Sequence, residues 1–147
     1  MSRIIGFGWY DGLLSGVAQC RKCESDYRFF TLGWDVNTPD RIYCFAAMQR
    51  GAFERILNLG GGAPVARWPV WSPHSSGISP SQNAEIDAIM RSAVPEYAVI
   101  SHDLSRSIVA AAPLTEAAAC HAVDRMDDDP EPDLKSLVFW RDFLSGG

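Results

Sequence analysis

Lysine is nearly absent from this chain: Lys22 and Lys135 are the only two among 147 residues, and the arginines are scattered. No polybasic run exists to neutralise a phosphate backbone or to meet an anionic membrane surface. Thirteen basic residues stand against eighteen acidic ones, for a net charge of −5 and a pI of about 5.0. That balance argues against nucleic acid as a partner. Histidine is scarce too, at three residues, and no HxxxH pair or second CxxC joins Cys20-Arg21-Lys22-Cys23. No window approaches the roughly 20 apolar residues of a membrane-spanning helix, so no membrane is expected as a partner. The start, Arg3-Ile4-Ile5-Gly6-Phe7, is broken by glycine and lacks the charged-then-apolar layout of a signal segment. A cytoplasmic location is expected, with the four cysteines as thiols. No internal repeat is visible.

What is present is an ordinary globular composition: 47% apolar, 21% charged and 11% aromatic. The length predicts a single domain over 1–147. The first half reads as strands at 3–10, 14–21, 26–34 and 41–48, joined by short turns at Asp11-Gly12, Glu24-Ser25 and 35–40. Connections this short favour an antiparallel meander. Both faces of the third and fourth strands are apolar, so this sheet is expected to be covered on both sides or to form an interface.

Helical spacing predicts a helix over 49–59 that ends at Gly60-Gly61-Gly62. Residues 60–82 form a long Gly/Pro/Ser-rich loop with an edge strand at 66–71. Ser79-Pro80 opens a second helix whose Ala84, Ile86, Ala88, Ile89 and Val94 face a core, with Pro95 as its stop. Strands follow at 96–101 and 106–111, around His102-Asp103. Thr115 caps a helix over 116–126, 127–133 is an acidic inter-helix linker, and Asp133 caps a helix over 134–144. That last helix carries an apolar stripe of Leu134, Leu137, Val138, Trp140 and Leu144. Strands first and helices later predict an α+β fold, with helices packed on an N-terminal antiparallel sheet.

Several groups carry chemistry in principle. Cys20 and Cys23 have the spacing of a zinc clamp or a redox pair, and Cys44 on a nearby strand is the third metal candidate. Cys120-His121 or His74 would have to complete four zinc ligands. The redox reading is disfavoured because this motif sits at a hairpin tip, not at a helix N-terminus whose dipole lowers a thiol pKa. His102-Asp103 has the look of a turn, and Cys120-His121 should have one buried member. Gly60-Gly61-Gly62 lacks the Lys and Ser/Thr of a phosphate loop, and Ser75-Ser76-Gly77 and Ser15-Gly16 lack the flanking glycines of a nucleophile elbow. Ser145-Gly146-Gly147 reads as a frayed tail.

Tryptophan is unusually common, with five residues. Trp68 and Trp71 flank Pro69 in the long loop with His74, and Trp9 and Tyr10 precede a turn. Large aromatics outside regular structure can anchor a partner. Asp127, Asp128 and Asp129, with Glu131 and Asp133, could attract a basic one.

Trp9-Tyr10-Asp11-Gly12 and Ser15-Gly16-Val17-Ala18, followed by Tyr27, Phe29 and Tyr43, resemble a group of small uncharacterised bacterial proteins. These open with a Y-D-G-P-x-S-G-V/I-A hairpin. The resemblance covers about 45 residues and departs at Leu13, where the group tends to carry proline. It implies a bacterial or phage-related origin and a hairpin.

The expected function is a non-catalytic binding protein, of inhibitor or immunity type, whose partner is another protein. Small size, acidic balance, aromatics outside regular elements and the lack of a complete catalytic constellation support it. No cofactor is expected on this reading. The first alternative is a cysteine/histidine zinc protein or thiol enzyme. The second is a subunit of a larger assembly, including a homo-oligomer, whose two-sided apolar sheet is buried by a neighbour.

Overall fold

A computed structural model describes residues 3–9, 13–20, 22–34, 40–59, 80–101, 104, 108–126 and 134–146. The fold is mixed α and β. Among the described residues six strands form one sheet in chain order: β1 (Arg3–Trp9), β2 (Leu13–Cys20), β3 (Ser25–Trp34), β4 (Arg41–Ala47), β5 (Val94–Ser101) and β6 (Ala110–Pro113). The β1/β2 and β5/β6 pairs are antiparallel. Four helices complete the described chain: α1 (Ala52–Leu59), α2 (Pro80–Arg91), α3 (Glu116–Arg125) and α4 (Leu134–Leu144). The chain divides into two compact units, Met1–Arg28 with Ala47–Val94 and Phe29–Ala46 with Pro95–Gly147.

The first unit is built on aliphatic side chains. Ile5 and Val17 face each other across the β1/β2 pair, and both join a buried cluster with Phe53, Ile56 and Leu57 of α1 and Ile86 and Ile89 of α2. In α2 the buried positions are three residues apart, as a 3.6-residue period requires. Ala84 and Ala88 lie about 200° around the helix from Ile86 by that period, and both are exposed, contrary to the expected core face. Val94, expected on the same face, opens β5 and is exposed; the helix stops at Arg91, before Pro95 is reached.

The start of α1 is fixed from a distant strand. Asp26 of β3 is 3% exposed, and its Oδ2 accepts the N–H groups of Gly51 at 2.9 Å and Phe53 at 3.3 Å. Its Oδ1 accepts from Gln19 Nε2 at 3.2 Å, and its carbonyl accepts the Met48 N–H at 2.9 Å. A helix start leaves four N–H donors without partners, and a carboxylate there also meets the favourable end of the helix dipole. Gly51 turns the chain into α1 at φ +87°, a conformation that L side chains rarely adopt.

The second unit is aromatic. Residues 29–34 of β3 and 41–46 of β4 are buried without interruption. The missing alternation is the sign of strands covered on both faces. Phe29 meets Tyr43 and Phe45 edge-on, with centroids 5.8 and 6.0 Å apart. The buried Arg41 guanidinium lies 4.8 Å from the Trp34 ring centre.

Thr115 caps α3 as expected, its hydroxyl accepting from the Ala118 N–H at 3.2 Å. The strand expected at 106–111 instead begins at Ala110 and runs to Pro113. Pro113 is tolerated at this last position of an edge strand, where a missing N–H costs little. Ala118 and Ala122 are the buried residues of α3, so both Cys120 and His121 are exposed, against the expectation that one would be buried. On α4, Trp140 is buried, with Phe143 three residues on at a 5.8 Å centroid distance. Val138 lies about 200° around the helix from Trp140, outside the expected stripe, and is 50% exposed.

Candidate functional site

The chemistry that the described residues bring together lies at the turn between β2 and β3. Cys20 ends β2 and is half-buried; Lys22–Glu24 form the turn, and Cys23 within it is exposed. Glu24 takes a positive φ of 52°, which brings the chain round to Ser25 at the start of β3. Ser25 Oγ then donates to the Cys23 carbonyl at 3.3 Å.

This turn perturbs one thiol. A hydrogen bond from the Cys20 thiol is the main cause that lowers the Cys23 pKa from its ordinary value, and a second from the Ser25 side chain adds to it. Burial opposes both but is slight. A donor aimed at sulfur favours the thiolate, the form that acts as nucleophile and metal ligand. The motif thus acquires, from its own neighbours, the bias that a helix N-terminus gives in other dithiols. Spacing alone did not reveal this, because it depends on how the two side chains are aimed.

A cleft of about 390 Å³ lies on the Cys20 side of the turn, lined by Gln19, Cys20, Glu24, Asp26, Arg50 and Gly51. Arg50 Nη2 meets Glu24 Oε2 at 2.5 Å, an exposed pair on its rim. A second cleft, about 250 Å³, is lined by residues of α1 and α2, including Arg55 and Glu85, which pair at 3.0 Å. Asp26 was not singled out by sequence reasoning. A buried acid inside a strand, opposite a helix 25 residues away, carries no local signature.

The other sequence candidates separate. Cys44 is fully buried in β4. Among the described residues, no group of three or more His, Cys, Asp or Glu is placed to hold a metal ion. Zinc sites normally need at least three protein ligands, and this turn supplies two thiols. Asp26 in the adjoining cleft already spends its oxygens on Gln19, Gly51 and Phe53. Trp9 ends β1. Tyr10, Trp68, Trp71, His74, Asp127, Asp128 and Asp129 lie outside the described residues, as do Asp11-Gly12, His102-Asp103 and the edge strand at 66–71.

A further surface was not anticipated. His121 of α3 and Phe139 of α4 meet at a tilt of 44° with ring centres 4.6 Å apart. On these helices Val123, Val138 and Phe139 are 53, 50 and 39% exposed, and Ile108 and Val109 before β6 are exposed too. No helix among the described residues is long and apolar enough to cross a membrane. No known protein family, curated protein or solved structure matches the chain.

Proposed function

We propose that this protein is a non-catalytic binding module, of inhibitor or immunity type and of bacterial or phage-related origin, that acts by covering another protein. The observation that carries the reading is the apolar exposure on α3 and α4. Val123, Val138 and Phe139 leave large apolar groups in water on two helices joined by the His121–Phe139 contact. Exposed apolar groups gathered on neighbouring elements are a usual mark of a protein-binding surface. The α+β packing of helices on the sheet would give that surface a rigid support. The acidic residues Asp127, Asp128 and Asp129 follow α3 directly in sequence and suit a partner with a basic rim. Trp68, Trp71, His74, Trp9 and Tyr10 supply further anchoring groups on the same reading.

The test is quantitative capture from the native host by the tagged full chain, beside a Val138→Glu/Phe139→Ser double variant. One polypeptide should be retained in a fixed ratio by the wild type and reduced at least about tenfold by the variant, the loss expected for central anchors. Equal capture by a folded variant would remove α3 and α4 from the binding surface. Capture of nothing by either would overturn the binding reading itself.

A further inference from the structure

We propose that Cys20 and Cys23 form a reversible dithiol/disulfide pair that exchanges with low-molecular-weight disulfides, Cys23 attacking and Cys20 resolving. The inference goes beyond the binding role and stands or falls separately from it.

Three features of the turn carry it. Cys20 and Cys23 flank one turn: Cys20 is the last residue of β2 and Cys23 stands two residues before β3 begins, so the resolving thiol is three residues from the attacking one. Their exposures differ in the useful direction: Cys23 is open to an incoming reagent, whereas Cys20 is half-buried at the end of a strand. The cleft beside Cys20, about 390 Å³, is within the size range of small-molecule sites and gives the transient adduct room next to the resolving thiol. The other thiols lack this arrangement. Cys44 is buried in β4, and Cys120 is exposed on α3 without a second cysteine one turn away.

The exchange balances as follows. The Cys23 thiol loses its proton, and its thiolate attacks one sulfur of R–S–S–R. A Cys23–S–S–R bond forms, and RS⁻ leaves and takes up that proton. Cys20, deprotonated in turn, attacks the Cys23 sulfur. The Cys20–Cys23 bond forms and the second RS⁻ leaves as RSH. Two protein thiols are oxidised, and one small disulfide is reduced to two thiols. An excess of small thiol reverses both steps.

The probe is oxidised glutathione, added anaerobically to the reduced full-length protein near neutral pH and followed by intact mass and peptide mapping. The wild type should end lighter by about 2 Da, two hydrogens, with the link mapped to Cys20 and Cys23, and dithiothreitol should restore the mass. Cys20→Ala should stop at a product about 305 Da heavier, the glutathione adduct at Cys23. Cys23→Ala should give no lighter product, and its Cys20 should react at least about tenfold more slowly than Cys23 does in the wild type. The wild-type readout needs no variant to fold. Accumulation of the Cys23 adduct in the wild type, or modification of Cys23 no faster than Cys120, would overturn the proposal.

Discussion

The two compact units hold themselves together by different physics. The first combines an aliphatic cluster with polar ties: Asp26 at the start of α1, and the Arg3–Glu54, Arg50–Glu24 and Arg55–Glu85 pairs. The second buries aromatic strands on both faces and leaves apolar side chains of α3 and α4 in water. Each unit is therefore vulnerable in a different place. A buried aromatic contributes by the area it removes from water and by contacts that a smaller residue cannot replace. A buried carboxylate contributes through donors that would otherwise be left without partners. Exposed ion pairs contribute little, whatever their number.

The costs of substitution rank accordingly. Phe29→Ala, which leaves a cavity beside Tyr43 and Phe45, should cost about 4 kcal/mol in denaturant unfolding. Asp26→Ala should cost about 3 kcal/mol, because the Gly51 and Phe53 amides lose their shared side-chain acceptor. Amide exchange should show faster opening at the start of α1. Asp26→Asn keeps an acceptor oxygen and should recover part of that loss; equal losses for Ala and Asn would mean that charge, not the acceptor, holds the helix. Thr115→Ala should cost about 1 kcal/mol, an ordinary cap in the second unit. Arg55→Gln should cost less than about 0.5 kcal/mol, an effect that fades in high salt. A larger effect would show that the exposed ties of the first unit are more than decoration.

The thiol turn gives a prediction of another kind. Hydrogen bonds to its sulfur place the Cys23 pKa below its ordinary value, so iodoacetamide alkylation of Cys23 should reach half its maximal rate at a lower pH than that of an ordinary exposed thiol. Cys20→Ala removes the largest cause and should move that midpoint upward. An unchanged midpoint would show that Cys20 does not act on Cys23.

Much of the secondary structure was legible because short apolar runs alternate with turn residues. Strands β1–β4 follow those runs, Pro80 opens α2, and Thr115 caps α3. The continuous burial of β3 and β4 was also readable, since their apolar residues fall on both faces. What escaped was long-range or weakly patterned. β6 is Ala-Ala-Ala-Pro, a segment with little intrinsic strand preference that is held by pairing with β5. Asp26 reads only as the polar first residue of a strand until α1 arrives beside it. Val138 falls in the apolar stripe of α4 in sequence, and only the burial of Trp140 turns it outward. The thiols of Cys20 and Cys23 were visible as a spacing, but the lowering of the Cys23 pKa was not.

Native mass spectrometry of the full chain, purified gently from its own host, tests the proposed binding role most directly. A complex of this chain with one other polypeptide, dissociated by Val138→Glu/Phe139→Ser, is the predicted result. A bare monomer, or a monomer heavier by about 65 Da from bound zinc, would contradict it.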